Sequence, residues 1–361
     1  MIYSPEDTFG GGKPSGKQWI APPAGTFMSF TLDRAVTKIT AEGSKFFESV
    51  AYGQVSGSFS LSFYADYDYI EPFYLAFEDY SCQDNGDGTY THVFEKVNNK
   101  KIKSFCCRTK QLNRISSMYS GNDEVTELRG CFVKSIKFSS SAGTSQVQVS
   151  MSGAFADART WVGDLMTTDY TEYDGELWEF TCLFYGTDAN NNSYVDLVDS
   201  LSVSMDNNAE MLYSVCSAFA NSYYEGTANF ALSASCYSND PERFRLRTYT
   251  GGQSVATGSP VSPWAKGLKP CADMMIYSYN LSVHDGDAED IGTAIEQSTR
   301  TAAFHVEDCV FKSTQWPAGD GSKLQEQLSS AECRKISLTI KSDIPNLEST
   351  NSHPVNSPDP S

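Results

Sequence analysis

Residues 126–155 read TELRGCFVKSIKFSSSAGTSQVQVSMSGAF. Apolar and polar residues alternate on both sides of the central SSSAG, and this two-residue period is typical of a β-strand with one buried face. Val147, Val149 and Met151 share one face of the second segment. The stretch therefore predicts a β-hairpin whose turn is SSSAG.

Part of this hairpin recurs later in the chain. The segment RGCFVKSIKF (129–138) resembles EDCVFKSTQW (307–316). The aligned pairs are Cys131 with Cys309, Lys134 with Lys312, Ser135 with Ser313, and Phe138 with Trp316.

Two further matches follow the same order along the chain. GSFSLSF resembles ANFALSA, which aligns Phe59 with Phe230 and Leu61 with Leu232, and VQVSM at 147–151 resembles ISLTI at 336–340. The sequence separation between partners increases from each match to the next, which predicts insertions in the second half, one of them at residues 318–335 in place of a short turn. Ordered matches favour an internal duplication, while unrelated strands of similar Ser- and Phe-rich composition are the alternative.

Local patterns predict the remaining elements of the first half. Residues 28–36 and 56–65 are predicted strands, the second with clean alternation, and residues 84–95 begin with Asn-Gly and Asp-Gly turn signals. Apolar residues at helical spacing follow Asp68, which predicts a helix with Asp68 as its N-cap and Pro72 in its first turn.

Composition divides the chain into four segments. Glycine and proline mark an N-terminal arm outside the core, and a polar, Pro-rich C-terminal stretch predicts a flexible tail. The predicted segments are an arm at 1–25, a first β module at 26–160, a second β module at 161–342 with a long loop at 249–271, and a disordered tail at 343–361. The joint between the modules is expected within residues 157–175.

Charge restricts the function classes. The 361 residues carry a formal net charge of −18, with a pI near 4.6. Proteins that grip nucleic acid do so mainly through Lys and Arg, so this chain would repel DNA, RNA and anionic membrane surfaces on average. The start of the sequence has no Sec-type signal pattern, and no apolar run is long enough for a membrane helix, which predicts a soluble, non-exported protein.

The sequence contains no sharp catalytic motif. His92, His284, His305 and His353 lack any HExxH context, and neither a GxSxG elbow nor a phosphate-binding glycine loop is present. Carboxylates cluster in turns such as 284–290, where they serve backbone geometry. We therefore predict no catalytic residues, no cofactor and no enzyme activity, and a glycosidase is the weakest of three alternatives.

One acidic loop resembles a calcium site. Asp188, Asn190, Asn192, Asp196 and Asp199 take positions 1, 3, 5, 9 and 12 of an EF-hand loop. Ser193 stands where the sharp turn needs glycine, and strands flank the loop, so an Asp/Asn-rich hairpin turn explains it and no metal is predicted. The ten cysteines show no zinc spacing, which predicts reduced thiols packed in the core, with disulfides as the alternative.

The ordered set of segments resembles one protein family. GSFSLSF, then DYIEPFYLAF, DGTYTHVFE and the 126–155 hairpin, followed by VDSLSVSMDNNAEML and GTANFALSASCYSND, look like a major tail tube protein of tailed bacteriophages, in a long form. The resemblance covers roughly residues 26–250 well. The ordered set carries it, since no single motif is diagnostic.

The resemblance implies two tandem β-sandwich modules with few helices in a structural virion protein. Subunits of this family form rings whose inner strands join into a β-barrel, and the rings stack into a tube that conducts DNA. Two modules per chain favour a homotrimeric ring with pseudo-sixfold symmetry, with a hexamer as the fallback. The implied location is the virion tail, assembled in the host cytoplasm with other tail proteins, and DNA is only passing cargo.

A different class remains open at this level. A β-sandwich adhesin or carbohydrate-binding protein would use exposed Tyr and Trp as sugar platforms. The five tryptophans are few and dispersed, which disfavours this interpretation; they are Trp19, Trp161, Trp178, Trp264 and Trp316.

Overall fold

A computed structural model gives the fold for most of the chain. It describes residues 1–39 (except 16, 18 and 24), 49–111 (except 99), 124–162 (except 142 and 143), 170–171, 177–185 (except 179), 198–237, 271–279, 300–315 and 326–348. Within these residues the protein is mainly β, with twenty strands and one short α-helix.

The first ten strands and the helix lie in the first half of the chain. The strands are β1 (Ile2–Pro5), β2 (Trp19–Ile20), β3 (Phe27–Ile39), β4 (Ser49–Tyr64), β5 (Asp79–Asp84), β6 (Tyr90–Glu95), β7 (Phe105–Gln111), β8 (Glu124–Ser141), β9 (Thr144–Phe155) and β10 (Asp157–Val162). The helix, α1, spans Glu71–Ala76 between β4 and β5.

The other ten strands complete the fold. They are β11 (Tyr170–Thr171), β12 (Phe180–Tyr185), β13 (Val198–Asp206), β14 (Ala209–Tyr213), β15 (Ala220–Glu225), β16 (Asn229–Tyr237), β17 (Cys271–Tyr279), β18 (Thr301–Gln315), β19 (Glu326–Cys333) and β20 (Lys335–Ser342).

One long antiparallel sheet crosses both halves of the chain. Its strand order is β3–β4–β9–β8–β13–β16–β19–β18. The alternation predicted for residues 56–65 is confirmed, because Phe59, Leu61 and Phe63 of β4 point into the core while the intervening serines remain accessible. One face of this sheet is therefore apolar and the other is polar.

A second layer covers the apolar face. It contains β7 and β10 against the first half of β8, and the run β12–β17–β18–β20–β6–β5. Leu61, Val149 and Leu201 of the long sheet pack in one cluster with Phe94 of β6 and Leu338 of β20. Two β layers around a shared apolar core make a β-sandwich.

The ladder registers of β8 and β18 repeat when Cys131 is aligned with Cys309. Cys131 pairs with Phe105 of β7, and Cys309 pairs with Ala272 of β17, and a bulge follows both pairs. Backbone φ is positive at Gly130 (61°) and at Asp308 (50°), one residue before each cysteine. A second bulge lies between Val133 and Ser135 in β8 and between Phe311 and Ser313 in β18.

The neighbouring strands follow the same Cys131–Cys309 alignment. Ala156 N donates to Arg129 O at 2.9 Å, and Arg334 N donates to Glu307 O at 3.0 Å. β10 pairs with β8 as β20 pairs with β18, starting from Asp157–Arg129 and Lys335–Glu307. Strands β7, β8, β9 and β10 thus correspond to β17, β18, β19 and β20.

Two more strands in each half of the chain correspond when Phe59 is aligned with Leu232. Phe59 of β4 pairs with Gly153 of β9, and Leu232 of β16 pairs with Ala331 of β19, so β4 corresponds to β16. Phe30 is opposite Phe59 and Val203 is opposite Leu232, which makes β3 correspond to β13 in the same Phe59–Leu232 alignment. The first strand set is therefore β3, β4 and β7 to β10, and the second strand set is β13 and β16 to β20.

The ladders correct two of the sequence matches. ISLTI lies in β20, which corresponds to β10, so its alignment with VQVSM of β9 is wrong. The insertion assigned to residues 318–335 is also wrong, because Ser135–Ser152 and Ser313–Ser330 are both ladder pairs and enclose connections of equal length. Short alternating segments match each other in several registers, and only the pairing partners distinguish them.

The predicted helix exists, but its N-terminus differs from the prediction. α1 begins at Glu71 with Ile70 at the N-cap and no side-chain cap, and Pro72 lies in its first turn as expected. Asp68 is not the N-cap. The Asp66 carboxylate instead accepts a hydrogen bond from Asp68 N at 2.7 Å, which forms an Asx turn two residues before the cap.

The N-terminal arm belongs to the core, contrary to the prediction. Tyr3 of β1 and Trp19 of β2 are buried, and β1 pairs with both β2 and β7. The Glu6 carboxylate accepts hydrogen bonds from Gly10 N at 3.1 Å, Gly12 N at 2.9 Å and Gly130 N at 3.2 Å, which fastens the glycine turn to β8.

The first residues of the expected C-terminal tail are also packed. Ile344 and Leu347 lie against the core, and Leu347 N donates to Tyr80 Oη at 3.0 Å. Residues 349–361 and most of the predicted 249–271 loop lie outside the described residues. The predicted joint at 157–175 begins with β10, a strand of the first set.

Candidate functional site

Serine side chains form parallel rows across the polar face of the long sheet. One row runs Ser29–Ser60–Ser152–Ser135 over β3, β4, β9 and β8, and another runs Gln148–Ser139–Ser202–Ser233 over β9, β8, β13 and β16. We call this surface the hydroxyl face; its serines are Ser29, Ser58, Ser60, Ser62, Ser135, Ser139, Ser150, Ser152, Ser200, Ser202, Ser204 and Ser233.

Short hydroxyls bond to each other along these rows. Ser29 Oγ lies 2.8 Å from Ser60 Oγ, and Ser135 Oγ lies 2.7 Å from Ser152 Oγ. Lys137 adds a positive charge between the rows, opposite Ser150 and Ser204. A surface of neutral hydroxyls offers donors and acceptors to water but too little positive charge to hold a polyanion.

The hydroxyl face contains a shallow depression over the junction of the two strand sets. Its volume is about 320 Å³, and its lining includes Tyr64, Lys137, Gln148, Ser202 and Ser233. Ligand sites are usually concave and largely apolar with a few convergent polar groups. Most residues around this open depression are serine or glutamine, so its polar groups are many rather than few.

The far ends of β3 and β4 extend beyond the sheet as a two-stranded ribbon. Val36 pairs with Tyr52 in this ribbon, whereas β9 pairs with β4 only from Gly57 onward. Val36 is 50% exposed and Tyr52 is 64% exposed, and the Arg34 guanidinium lies 4.2 Å from the Tyr52 ring centre. A protruding ribbon with exposed apolar side chains is typical of a protein–protein contact.

Two of the four histidines lie in strands that the structure describes. His92 is buried on β6, where its Nδ1 lies 3.0 Å from Tyr80 Oη, and His305 lies on β18. His284, His353 and residues 188–197 of the EF-hand-like loop lie outside the described residues, while Asp199 lies in β13. Among the described residues no group of three or more His, Cys, Asp or Glu side chains is arranged to hold a metal ion.

The cysteines and tryptophans that the structure describes are mostly core residues. Cys106, Cys107, Cys131 and Cys309 are buried, as predicted for core cysteines, whereas Cys82 and Cys333 are half-buried and Cys216 is exposed. Trp19 and Trp178 are buried too, so neither offers a ring to an external ligand. Trp161 is half-buried, and Trp264 and Trp316 lie outside the described part of the chain.

Sequence reasoning missed a buried charge cluster. The Lys96 ammonium contacts Glu78 and lies 3.2 Å from Glu225 Oε2, while the two carboxylates accept hydrogen bonds from Val97 N (2.7 Å) and Ile102 N (2.8 Å). Burial raises the pKa of Glu78 to about 6. The cluster fastens the β14–β15 hairpin to the β6–β7 connection, and its members lie too far apart in sequence for any spacing motif to reveal it.

Neither a scan against protein-family models nor a search of curated proteins found a match for the chain. In the described part of the chain, no helix has the length and apolar character needed to cross a membrane.

Proposed function

We propose that the protein is a major tail tube subunit of a tailed bacteriophage. One observation carries the proposal: two strand sets with the same ladder registers are fused edge to edge in one sheet. The two strand sets already pair with each other along their sheet edges. A strand set of this kind can pair in the same way with the corresponding set of another chain. In this interpretation each strand set is one tube module, and the chain contains two.

The hydroxyl face is proposed as the wall of the channel. DNA binds proteins mainly through phosphate contacts with Lys and Arg, so a conducting wall should present few cations. The rows of serine meet this requirement, and the net charge of −18 keeps the rest of the molecule from attracting DNA. DNA is then cargo that slides past, without sequence recognition.

The proposed assembly has three chains per ring. Three chains with two modules each give six modules and pseudo-sixfold symmetry, while six chains per ring are the fallback. Contacts between stacked rings are assigned to the β3–β4 ribbon, since the N-terminal arm packs in its own subunit. The proposed location is the virion tail, assembled in the host cytoplasm together with other tail proteins.

Electron microscopy of the purified full-length chain tests this function. We expect rings or long tubes with a central channel and averaged threefold symmetry with pseudo-sixfold features. Isolated particles at all concentrations and salt conditions would contradict the tube function. Six chains per ring would overturn the trimer alone.

A further inference from the structure

Strands β8 and β13 join the two strand sets inside the chain. Residues 135–141 of β8 pair with residues 200–206 of β13 in an antiparallel register that places Phe138 opposite Val203. β8 lies at the end of the first set and β13 at the start of the second. The junction is therefore a contact between two unlike edges of equivalent units.

The same two edges recur at the ends of the long sheet. β18 corresponds to β8 in the Cys131–Cys309 alignment, and β13 corresponds to β3 in the Phe59–Leu232 alignment. Within the described residues, β3 pairs with β4 alone, and residues 311–315 of β18 pair with β19 alone. One end of the sheet thus has the edge of a β13-type strand, and the other end has the edge of a β8-type strand.

Exposed apolar residues mark the β3 edge as incomplete. Phe30 corresponds to Val203 and Leu32 corresponds to Met205 in the Phe59–Leu232 alignment. Val203 and Met205 are 3% and 2% exposed beside β8, whereas Phe30 and Leu32 are 40% and 49% exposed. β8 covers Val203 and Met205, and β18 is the strand that corresponds to β8. By the same correspondence, a β18 strand would cover Phe30 and Leu32 of β3.

We propose that β3 of one chain pairs with β18 of a second copy of this chain in the register of the internal junction. The predicted pairs are Thr31–Gln315, Leu32–Thr314 and Asp33–Ser313, which correspond to Ser204–Lys137, Met205–Ile136 and Asp206–Ser135. Pairing of this kind removes both open edges and buries Phe30 and Leu32. The contact joins unlike edges, so it adds chains head to tail, and its closure into a ring rests on the proposed function.

Disulfide trapping in the assembled protein tests the register. The single variants Thr31→Cys and Gln315→Cys are co-expressed with different tags, oxidised, and analysed by non-reducing electrophoresis and by mass spectrometry of linked peptides. By correspondence with Ser204 and Lys137, the two positions belong to the hydroxyl side of the sheet. We expect a disulfide between the two chains, because directly opposite residues in an antiparallel pair bring their Cβ atoms within disulfide range.

A one-residue slip provides the matched control. Thr31→Cys with Thr314→Cys places the two thiols on opposite faces, so we expect on the order of tenfold less linked dimer than for the matched pair. The wild-type chain measures any linkage through its own ten cysteines. Asp33→Cys with Ser313→Cys is a second matched pair for use if a Thr31 variant does not assemble.

The outcomes separate this interface from the proposed function. Equal linkage in matched and slipped pairs, or none in either matched pair, would overturn the register even if tubes form. A specific crosslink in a protein that forms no rings or tubes would support the interface and contradict the tail tube function.

Discussion

His92 is a buried base whose protonation opposes folding. Its side chain is fully buried and stacks on Tyr80, and desolvation lowers its pKa from 6.5 to about 4. Between pH 4 and 6.5 the unfolded chain binds more protons at this site than the folded chain. Stability therefore falls as pH decreases through this window, by on the order of 3 kcal/mol in total.

Replacement of His92 by Gln removes this titration. We expect the stability of wild type to decrease more steeply than that of His92→Gln between pH 6.5 and 4, with no difference in slope above pH 6.5. Thermal unfolding at several pH values, at fixed protein concentration, measures the two slopes. Parallel profiles through the window would show that His92 is not responsible for acid sensitivity.

Cys309 and Cys333 form a cross-strand thiol pair. Their Sγ atoms lie 3.1 Å apart at the position next to the Val310–Glu332 ladder pair. With glutathione disulfide as oxidant, we expect one Cys309–Cys333 bond and release of two glutathione thiols, with the partly exposed Cys333 reacting first. Peptide mass spectrometry after alkylation checks this, and two alkylated thiols after oxidation would contradict it. Cys333→Ser is the control, in which Cys309 can form no such bond.

At the scale of the element, the bulged bend of β8 depends on Gly130. Its φ of 61° is unfavourable for other L-residues, and an added Cβ would lie 2.9 Å from Ala156 Cβ. We expect Gly130→Ala to lower the unfolding free energy by at least about 1–2 kcal/mol, measured by denaturant titration. Asp308→Gly at the corresponding position of β18 should change stability far less, because glycine accepts the same positive φ. Equal losses in both variants would contradict this account.

Elements with strong local signals could be predicted from the sequence. The alternation of β4, the Asn-Gly and Asp-Gly turn before β6, and Pro72 in the first turn of α1 all act over a few residues. The burial of Trp19 and the position of the helix N-cap could not be predicted, since both depend on packing partners distant in sequence. The same holds for Lys96, whose acidic partners come from β15 and the segment just after α1.

At the scale of the whole molecule, the sequence predicted a repetition, and the register was right in only one of its three matches. The match of Cys131 with Cys309 is the alignment that the ladders of β8 and β18 show. The match of Phe59 with Phe230 differs by two residues from the ladder correspondence of Phe59 with Leu232, which leaves every side chain on the same face. Alternation with a period of two fixes the buried face of a strand and leaves such two-residue shifts undetermined.

The position of the ribbon outside the sandwich predicts separate effects on rings and on tubes. Val36 and Tyr52 are exposed on the ribbon, and Val36 follows Asp33, the last residue of the proposed ring contact on β3, by three residues. We expect the double variant Val36→Ser, Tyr52→Ser to form rings but few tubes, because burial of these side chains between rings stabilises stacking by roughly 25 cal/mol for each Å² removed from water.

Val162→Ser is the control, since Val162 is 65% exposed at the end of β10, outside the ribbon. Negative-stain images of the three proteins at equal concentration measure tube length. Tubes of wild-type length in the double variant would show that the ribbon does not stack the rings, and loss of rings would place it within the ring contact instead.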